Sequence, residues 1–144
     1  MYNIIDQLIT SFISSALFGF FFNVPKKLLL QCGFVGMAGW IAYVVGIELK
    51  LDVIPATLIA AFLITVISQW FAKLHKTPII VFNVSGIIPL VPGGMAYDAM
   101  RHVVENEYDT AVQLAVKAFM ISGAIAIGLV FSEVINQIIR RSIR

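Results

Sequence analysis

Two prolines and two glycines interrupt an apolar stretch at residues 87–100, IIPLVPGGMAYDAM. Proline lacks a backbone N–H and clashes with the preceding helical turn, while glycine lets the backbone turn. Pro89, Pro92, Gly93 and Gly94 therefore predict a broken helix. Inside a membrane, the carbonyl groups freed by a break need protein cover or a watery cavity. The chemistry expected here is coordination of an ion or a small polar molecule.

A second helix is expected to begin after the break and to carry Tyr97, Asp98 and Arg101. Its N-terminus would present free N–H groups and partial positive charge, which attract a carboxylate. Discontinuous helices form the substrate sites of many transporters in this way. The alternative is that the prolines only kink a span or mark its exit from the membrane, and the pattern leaves both interpretations open.

Three further polar side chains lie near the break. Asn83 and Ser85 precede it in a short apolar segment, and each needs a hydrogen-bond partner on a ligand or a neighbouring helix. Lys117 lies two turns inside the last apolar segment. It is either a counter-ion for a substrate carboxylate or a lysine whose side chain extends to the membrane interface. The predicted pathway residues are Asn83, Ser85, Pro89, Pro92, Gly93, Gly94, Tyr97, Asp98, Arg101 and Lys117.

The composition predicts an integral membrane protein. Of 144 residues, 60% are hydrophobic and 12% charged, whereas about a quarter are charged in soluble domains. The mean hydropathy is +0.94. Apolar segments predict an all-α protein of five membrane spans in a single transmembrane domain, residues 1–144, with spans at approximately 4–22, 28–47, 54–72, 78–96 and 111–139. The fourth is expected to stop short, because the 14 residues 78–91 rise only about 21 Å in a hydrocarbon layer of about 30 Å.

The distribution of charge predicts orientation, since lysine and arginine are retained on the cytoplasmic side. The connections after the first and third segments carry +2 each and the tail +3, whereas those after the second and fourth carry −1 and −3. The N-terminus is therefore expected outside and the C-terminus in the cytoplasm. The first segment, with no basic residue before it, is expected to remain as a span. Asp6 and Glu133 are expected at the interfaces.

Stripes of small residues predict close helix packing in lipid. We expect some of these faces to meet another subunit, because five spans offer a limited interior. The stripes are Ser11, Ser15 and Gly19, then Gly33, Gly36 and Gly39, then Ala124, Gly128 and Ser132.

Enzyme motifs are absent from the sequence. There is no HExxH pair for zinc, Ser85 lacks the surroundings of a serine protease, and Asp98 has no second aspartate at membrane depth. Cys32 has no partner for a disulfide or metal site. The net charge of +2 is small and dispersed, which argues against nucleic acid as a partner. We therefore expect neither an enzyme nor a cofactor or metal, and membrane lipid as the surroundings.

Three motifs, FNVP at residues 22–25, QCGFVGMAGW at 31–40 and IIPLVPGGMAYDAM, resemble the bacterial threonine/serine exporter family. The likeness is to its small-subunit, YjjB-like type and covers nearly the whole chain. The pattern I-P-x-x-P-G-x-x-x-Y is carried by Ile88, Pro89, Pro92, Gly93 and Tyr97.

The resemblance implies secondary export of small metabolites such as threonine and serine, or succinate in the two-subunit type, across the bacterial inner membrane. It also implies a larger partner subunit with a cytoplasmic region and about five spans. Two such odd-numbered halves would form an inverted-repeat transporter. Two alternatives stay open: a non-transporting scaffold that stabilises the partner, and a self-sufficient homo-oligomeric transporter.

Overall fold

The computed structural model describes residues 3–142, and this part of the chain contains helices and no strands. The helices are α1 (Ile4–Phe21), α2 (Leu29–Glu48), α3 (Val53–His75), α4 (Ile80–Ile87), α5 (Gly93–Val104) and α6 (Tyr108–Ser142), with short 3-10 turns at Lys26–Leu28 and Ile88–Leu90. The predicted all-α fold is confirmed.

Four of these helices, α1, α2, α3 and α6, are long and apolar enough to cross a membrane. A fifth crossing exists only if Ile80–Leu90 and α5, which are bent by 50° from each other, count as one span. The second helix predicted after the break, with Tyr97, Asp98 and Arg101, is present as α5, which continues to Val104 and packs against α6. The last helix is also longer than the predicted 111–139, and its 35 residues extend about 52 Å.

The packing leaves a cleft on one side of the bundle. Helix α2 contacts α1, α3 and α4, whereas α6 packs against α3 and α5. Within residues 3–142, α4 and α6 share no extended interface. Because α3 contacts both of them, it forms the floor of what we call the α4–α6 cleft.

The two ends of the bundle can be distinguished by the residues that meet there. Val53 and Lys117, near the starts of α3 and α6, border one cavity, and we call this the α2–α3 end. Phe22 and Ile80, at the end of α1 and the start of α4, border another cavity at the opposite, α3–α4 end. An apolar core that includes Ile64, Phe82, Ile121 and Ile125 lies in the middle of the bundle.

The small-residue stripes pack within the chain. A Cβ atom on Gly33 would lie 2.8 Å from Phe12, and one on Gly86 would lie 2.6 Å from Val35. The named stripe residues are covered within the chain by α1, α2, α3 and α4, and contact with another subunit stays a prediction. The buried members are Ser11, Ser15, Gly19, Gly33, Gly36, Gly39, Ala124, Gly128 and Ser132.

Gly128→Ala is expected to destabilise the protein, because the new Cβ atom would lie 2.7 Å from the backbone oxygen of Leu58. Overpacking of this kind costs about 1–3 kcal/mol. Gly123→Ala on the same helix is the matched control, since nothing lies within 4 Å of its added Cβ atom. Denaturant unfolding of the purified variants in micelles measures both changes. Equal stability of the two variants would contradict this packing of α6 on α3.

Candidate functional site

The chain breaks between α4 and α5 through a short run of non-helical backbone. Val91 is extended, with ψ 126°, and its carbonyl oxygen accepts a hydrogen bond of 2.8 Å from the Gly93 N–H. Pro89 has no N–H to donate to the Ser85 carbonyl, as a helix would require. The Ile88 carbonyl, which Pro92 cannot serve, instead accepts from the Val91 N–H at 3.3 Å. The break therefore frees fewer carbonyl groups than the two prolines predict.

The first turn of α5 leaves N–H groups without a cap. No side chain caps this helix, and the first N–H groups of any helix have no partner within it. Gly93 and Gly94 are exposed, and a Cβ atom on either would meet nothing within 4 Å. Neither glycine has a positive φ. Glycine is therefore required here neither by packing nor by backbone conformation, although it leaves the N–H groups accessible.

A cavity of about 250 Å³ lies beside the break at the α2–α3 end, and we call it the break cavity. It brings together Pro89, Pro92 and Lys117 from the predicted pathway residues. The Trp40 and Tyr43 rings, 5.2 Å apart, form part of its wall. Its polar groups are few, because Thr57 donates to Val53 O and Trp40 donates to the Gln7 amide oxygen. The lysine ammonium supplies the cavity with positive charge.

Asn83 and Ser85 lie deeper in α4 and differ in how they are satisfied. The Ser85 hydroxyl is buried and donates a 2.6 Å hydrogen bond to the Val81 carbonyl one turn earlier. Its polarity is therefore absorbed by its own helix. The amide oxygen of Asn83 is buried without a hydrogen-bond partner among the described residues. Of the two, Asn83 is the one that remains available to a ligand or a partner helix.

Three predicted residues on α5 lie outside the break cavity. The Tyr97 side chain is 69% exposed, and Asp98 is half-buried. The Arg101 guanidinium lies 3.7 Å from the Glu105 carboxylate on the exposed side of the helix. None of the three lines the break cavity. Their part in a pathway stays a prediction.

A second cavity, of about 300 Å³, lies at the α3–α4 end and was not predicted as a site. We call it the basic cavity, and it is lined by Gln69, Ala72, Lys73, Lys76, Thr77, Ile79, Glu133, Asn136 and Arg140. The helical spacing of the polar lining residues on α3 and α6 places each set on one helix face. That spacing can be recognised in the sequence, but the sequence does not show that the two sets lie side by side.

Both cavities lie along the α4–α6 cleft, and apolar side chains separate them. Along α3, Ile64 lies between Thr57 of the break cavity and Gln69 of the basic cavity. Along α6, Ile125 lies between Lys117 and Glu133. Ile64 and Ile125 belong to the same buried core. The described chain therefore has a basic cavity at one end of the cleft, a largely apolar cavity bordered by Lys117 at the other, and an apolar barrier between them.

Comparison with known proteins gives a family match and 41 matching curated proteins. Residues 7–135 match the family described as Threonine/Serine exporter, ThrE. The chain is 26% identical over 137 residues to an uncharacterized protein of Haemophilus influenzae, covering 90% of this chain and 46% of that protein. It thus spans about half the length of this curated relative. No solved structure matches the chain. Since the family match runs through all six helices, the chain belongs to the threonine/serine exporter family of multi-pass membrane transport proteins.

Proposed function

We propose that this chain is the small membrane subunit of a secondary exporter of small carboxylate-bearing metabolites, either threonine and serine or a succinate-like dicarboxylate. The observation that carries the proposal is the break cavity, where Lys117 and the interrupted backbone at Pro89 and Pro92 line one recess. A carboxylate there would meet the lysine ammonium and lie near the uncapped N-terminus of α5. The remaining wall is largely apolar, which suits a substrate with a short carbon chain.

We further propose that the chain works with a larger membrane subunit that has a cytoplasmic region. Two observations support this. The chain spans 46% of the length of its Haemophilus relative, as expected if one long transporter were divided into two chains. The α4–α6 cleft is also open along one side within the described residues, so a second bundle would complete the wall of a pathway.

The proposed orientation follows from charge. Positive connections at the α3–α4 end favour the cytoplasm, and acidic connections at the α2–α3 end favour the outside. The break cavity would then face outward and the basic cavity inward. A partner of opposite orientation would give the inverted-repeat arrangement that alternates access in many secondary transporters. The membrane would be the bacterial inner membrane.

Efflux from cells that express this chain, the larger subunit, or both tests the proposal. We expect rapid efflux of a loaded amino acid or dicarboxylate only when both chains are present, at least about tenfold above either chain alone. Full efflux with the larger subunit alone would instead identify this chain as a scaffold. Full efflux with this chain alone would identify a homo-oligomeric transporter. Immunoblots of membranes control for expression of each chain.

A further inference from the structure

The basic cavity concentrates positive charge that nothing in the described chain neutralises. Lys73, Lys76 and Arg140 line it together with one carboxylate, Glu133, so its formal charge is +2. None of the three cations forms an ion pair with another residue in 3–142. A cavity of this charge attracts a small anion and repels cations.

Glu133 is held by amide groups and not by the cations. One carboxylate oxygen accepts a 3.1 Å hydrogen bond from the Gln69 side chain, and the other accepts from Gln137 at 3.4 Å. The Gln69 amide also contacts the Ser132 carbonyl oxygen at 3.4 Å. This arrangement fixes the carboxylate in the wall, and it leaves the three cations free for a ligand.

Several buried polar atoms in and near the wall of the basic cavity have no hydrogen-bond partner among the described residues. The Thr77 hydroxyl, in the wall itself, is buried and has no hydrogen-bond partner among the described residues. The same is true of the hydroxyls of Ser68 and Ser132, with at most 2% of either residue exposed, and of the Asn83 amide oxygen.

Ser132 lies four residues before Asn136, and Asn83 lies four residues after Ile79. Residues four apart lie one above the other on a helix, so these groups lie one turn further into the bundle than the lining residues. Each unpaired buried polar group carries a desolvation cost that a partner removes. Among these groups, the Thr77 hydroxyl belongs to the lining of the cavity itself.

We infer that the basic cavity is a binding site for a small dicarboxylate, which it receives before transport towards the break cavity. The inference rests on the proposed exporter function. The two carboxylates of such a ligand carry a total charge of −2, which matches the formal +2 of the cavity. A guanidinium and two ammonium groups are suited to hold them. The Thr77 hydroxyl completes the set as a neutral donor. A zwitterionic amino acid brings no net charge and is expected to bind more weakly.

The test is isothermal titration of succinate into the two-subunit complex in nanodiscs made only of zwitterionic lipid. Removing the charge with Lys73→Gln, Lys76→Gln and Arg140→Gln together is expected to weaken succinate binding by about 100-fold, and Lys76→Gln alone by about tenfold. The control is Lys26→Gln with Lys27→Gln. It removes charge at the same end of the bundle, in the α1–α2 connection, from residues that do not line the basic cavity. The control is expected to bind succinate like the wild type.

Four outcomes would overturn the inference, and the last of them would also overturn the proposed exporter function. If the triple variant and the control bind succinate equally well, the site is elsewhere while the exporter function stands. Equal affinity for serine and succinate overturns the selection of a dianion. If the substitutions weaken only the binding of anionic lipid in vesicles and leave succinate binding unchanged, the cavity holds a lipid headgroup. If the wild-type complex neither binds nor exports any carboxylate, the proposed function itself fails. Size-exclusion profiles of every variant control for folding.

Discussion

Pro92→Ala combined with Gly93→Ala is expected to abolish export while membrane levels of the protein stay normal. Alanine restores the missing N–H at position 92 and favours helix. The break would then shrink to the turn at Pro89, and the present bend of 50° is expected to change. A helix that begins before residue 93 would move the start of α5 and close its present uncapped N-terminus. Initial efflux rates from substrate-loaded cells are expected to fall at least about tenfold.

Two single variants separate the bend from the glycine in this experiment. Gly93→Ala alone is expected to keep most of the transport, because an added Cβ atom there meets nothing within 4 Å. Pro92→Ala alone is expected to account for most of the loss. Normal efflux in the double variant would show that the break is a structural kink without a part in transport.

The helices could be predicted from sequence because apolar runs of this length have few alternatives in a membrane. The predicted bounds of α1, 4–22, differ from the observed Ile4–Phe21 by one residue. The helix predicted after the break is present as α5, but its end at Val104 does not follow from hydropathy. Beyond the break, polar and apolar side chains alternate with helical period, so α5 extends past the end of the apolar run. Hydropathy follows burial in lipid, and it does not mark the end of an amphipathic helix that packs on a neighbour.

The candidate site was predictable only in part, because its pieces come together through packing. The two prolines and Lys117 line one cavity, and their contact with a substrate stays a prediction. Tyr97, predicted as a position of the family motif, and Arg101, predicted from its depth and charge, do not line this cavity. The basic cavity was not predicted. The positive-inside rule already accounts for lysines and arginines in these connections, so their charge did not indicate a site. The two main faces of the cavity are also about 60 residues apart in the chain.

Packing also decides what the small-residue stripes mean. From sequence, a stripe indicates only that some backbone approaches closely. Gly36 and Gly39 lie near the Gly86 carbonyl oxygen, at 3.6 and 4.0 Å from their added Cβ positions. The tighter contacts of these added Cβ atoms are with the Ser15 and Ile64 side chains, so the glycines let α2 pack closely on α1 and α3 as well as beside α4. Contact with a partner stays a proposal, and the open side of the α4–α6 cleft is the surface proposed for it.

Lys117→Met is expected to weaken transport of carboxylates and to leave the protein folded. Methionine keeps much of the apolar stem but removes the ammonium group from the break cavity. A hydrogen bond to a charged group contributes about 1.5–3 kcal/mol, and each 1.4 kcal/mol is a factor of about ten. The substrate concentration for half-maximal efflux is therefore expected to rise about tenfold or more. Lys117→Arg, which keeps the charge, is expected to retain transport close to the wild-type level.

The control for Lys117 is Lys50→Met, in the α2–α3 connection at the same end of the bundle. Lys50 is exposed and does not line the break cavity, so its loss removes the same charge from the same side without touching the recess. If both methionine variants lower transport alike, general surface charge is the cause. If Lys117→Arg fails as badly as Lys117→Met, the shape of the side chain matters and its charge does not. Only loss in Lys117→Met, with recovery in Lys117→Arg and no effect of Lys50→Met, fits a counter-ion at the break. In that case the ammonium group and the interrupted helix act on the same carboxylate, and the effects of Lys117→Met and Pro92→Ala should not be additive.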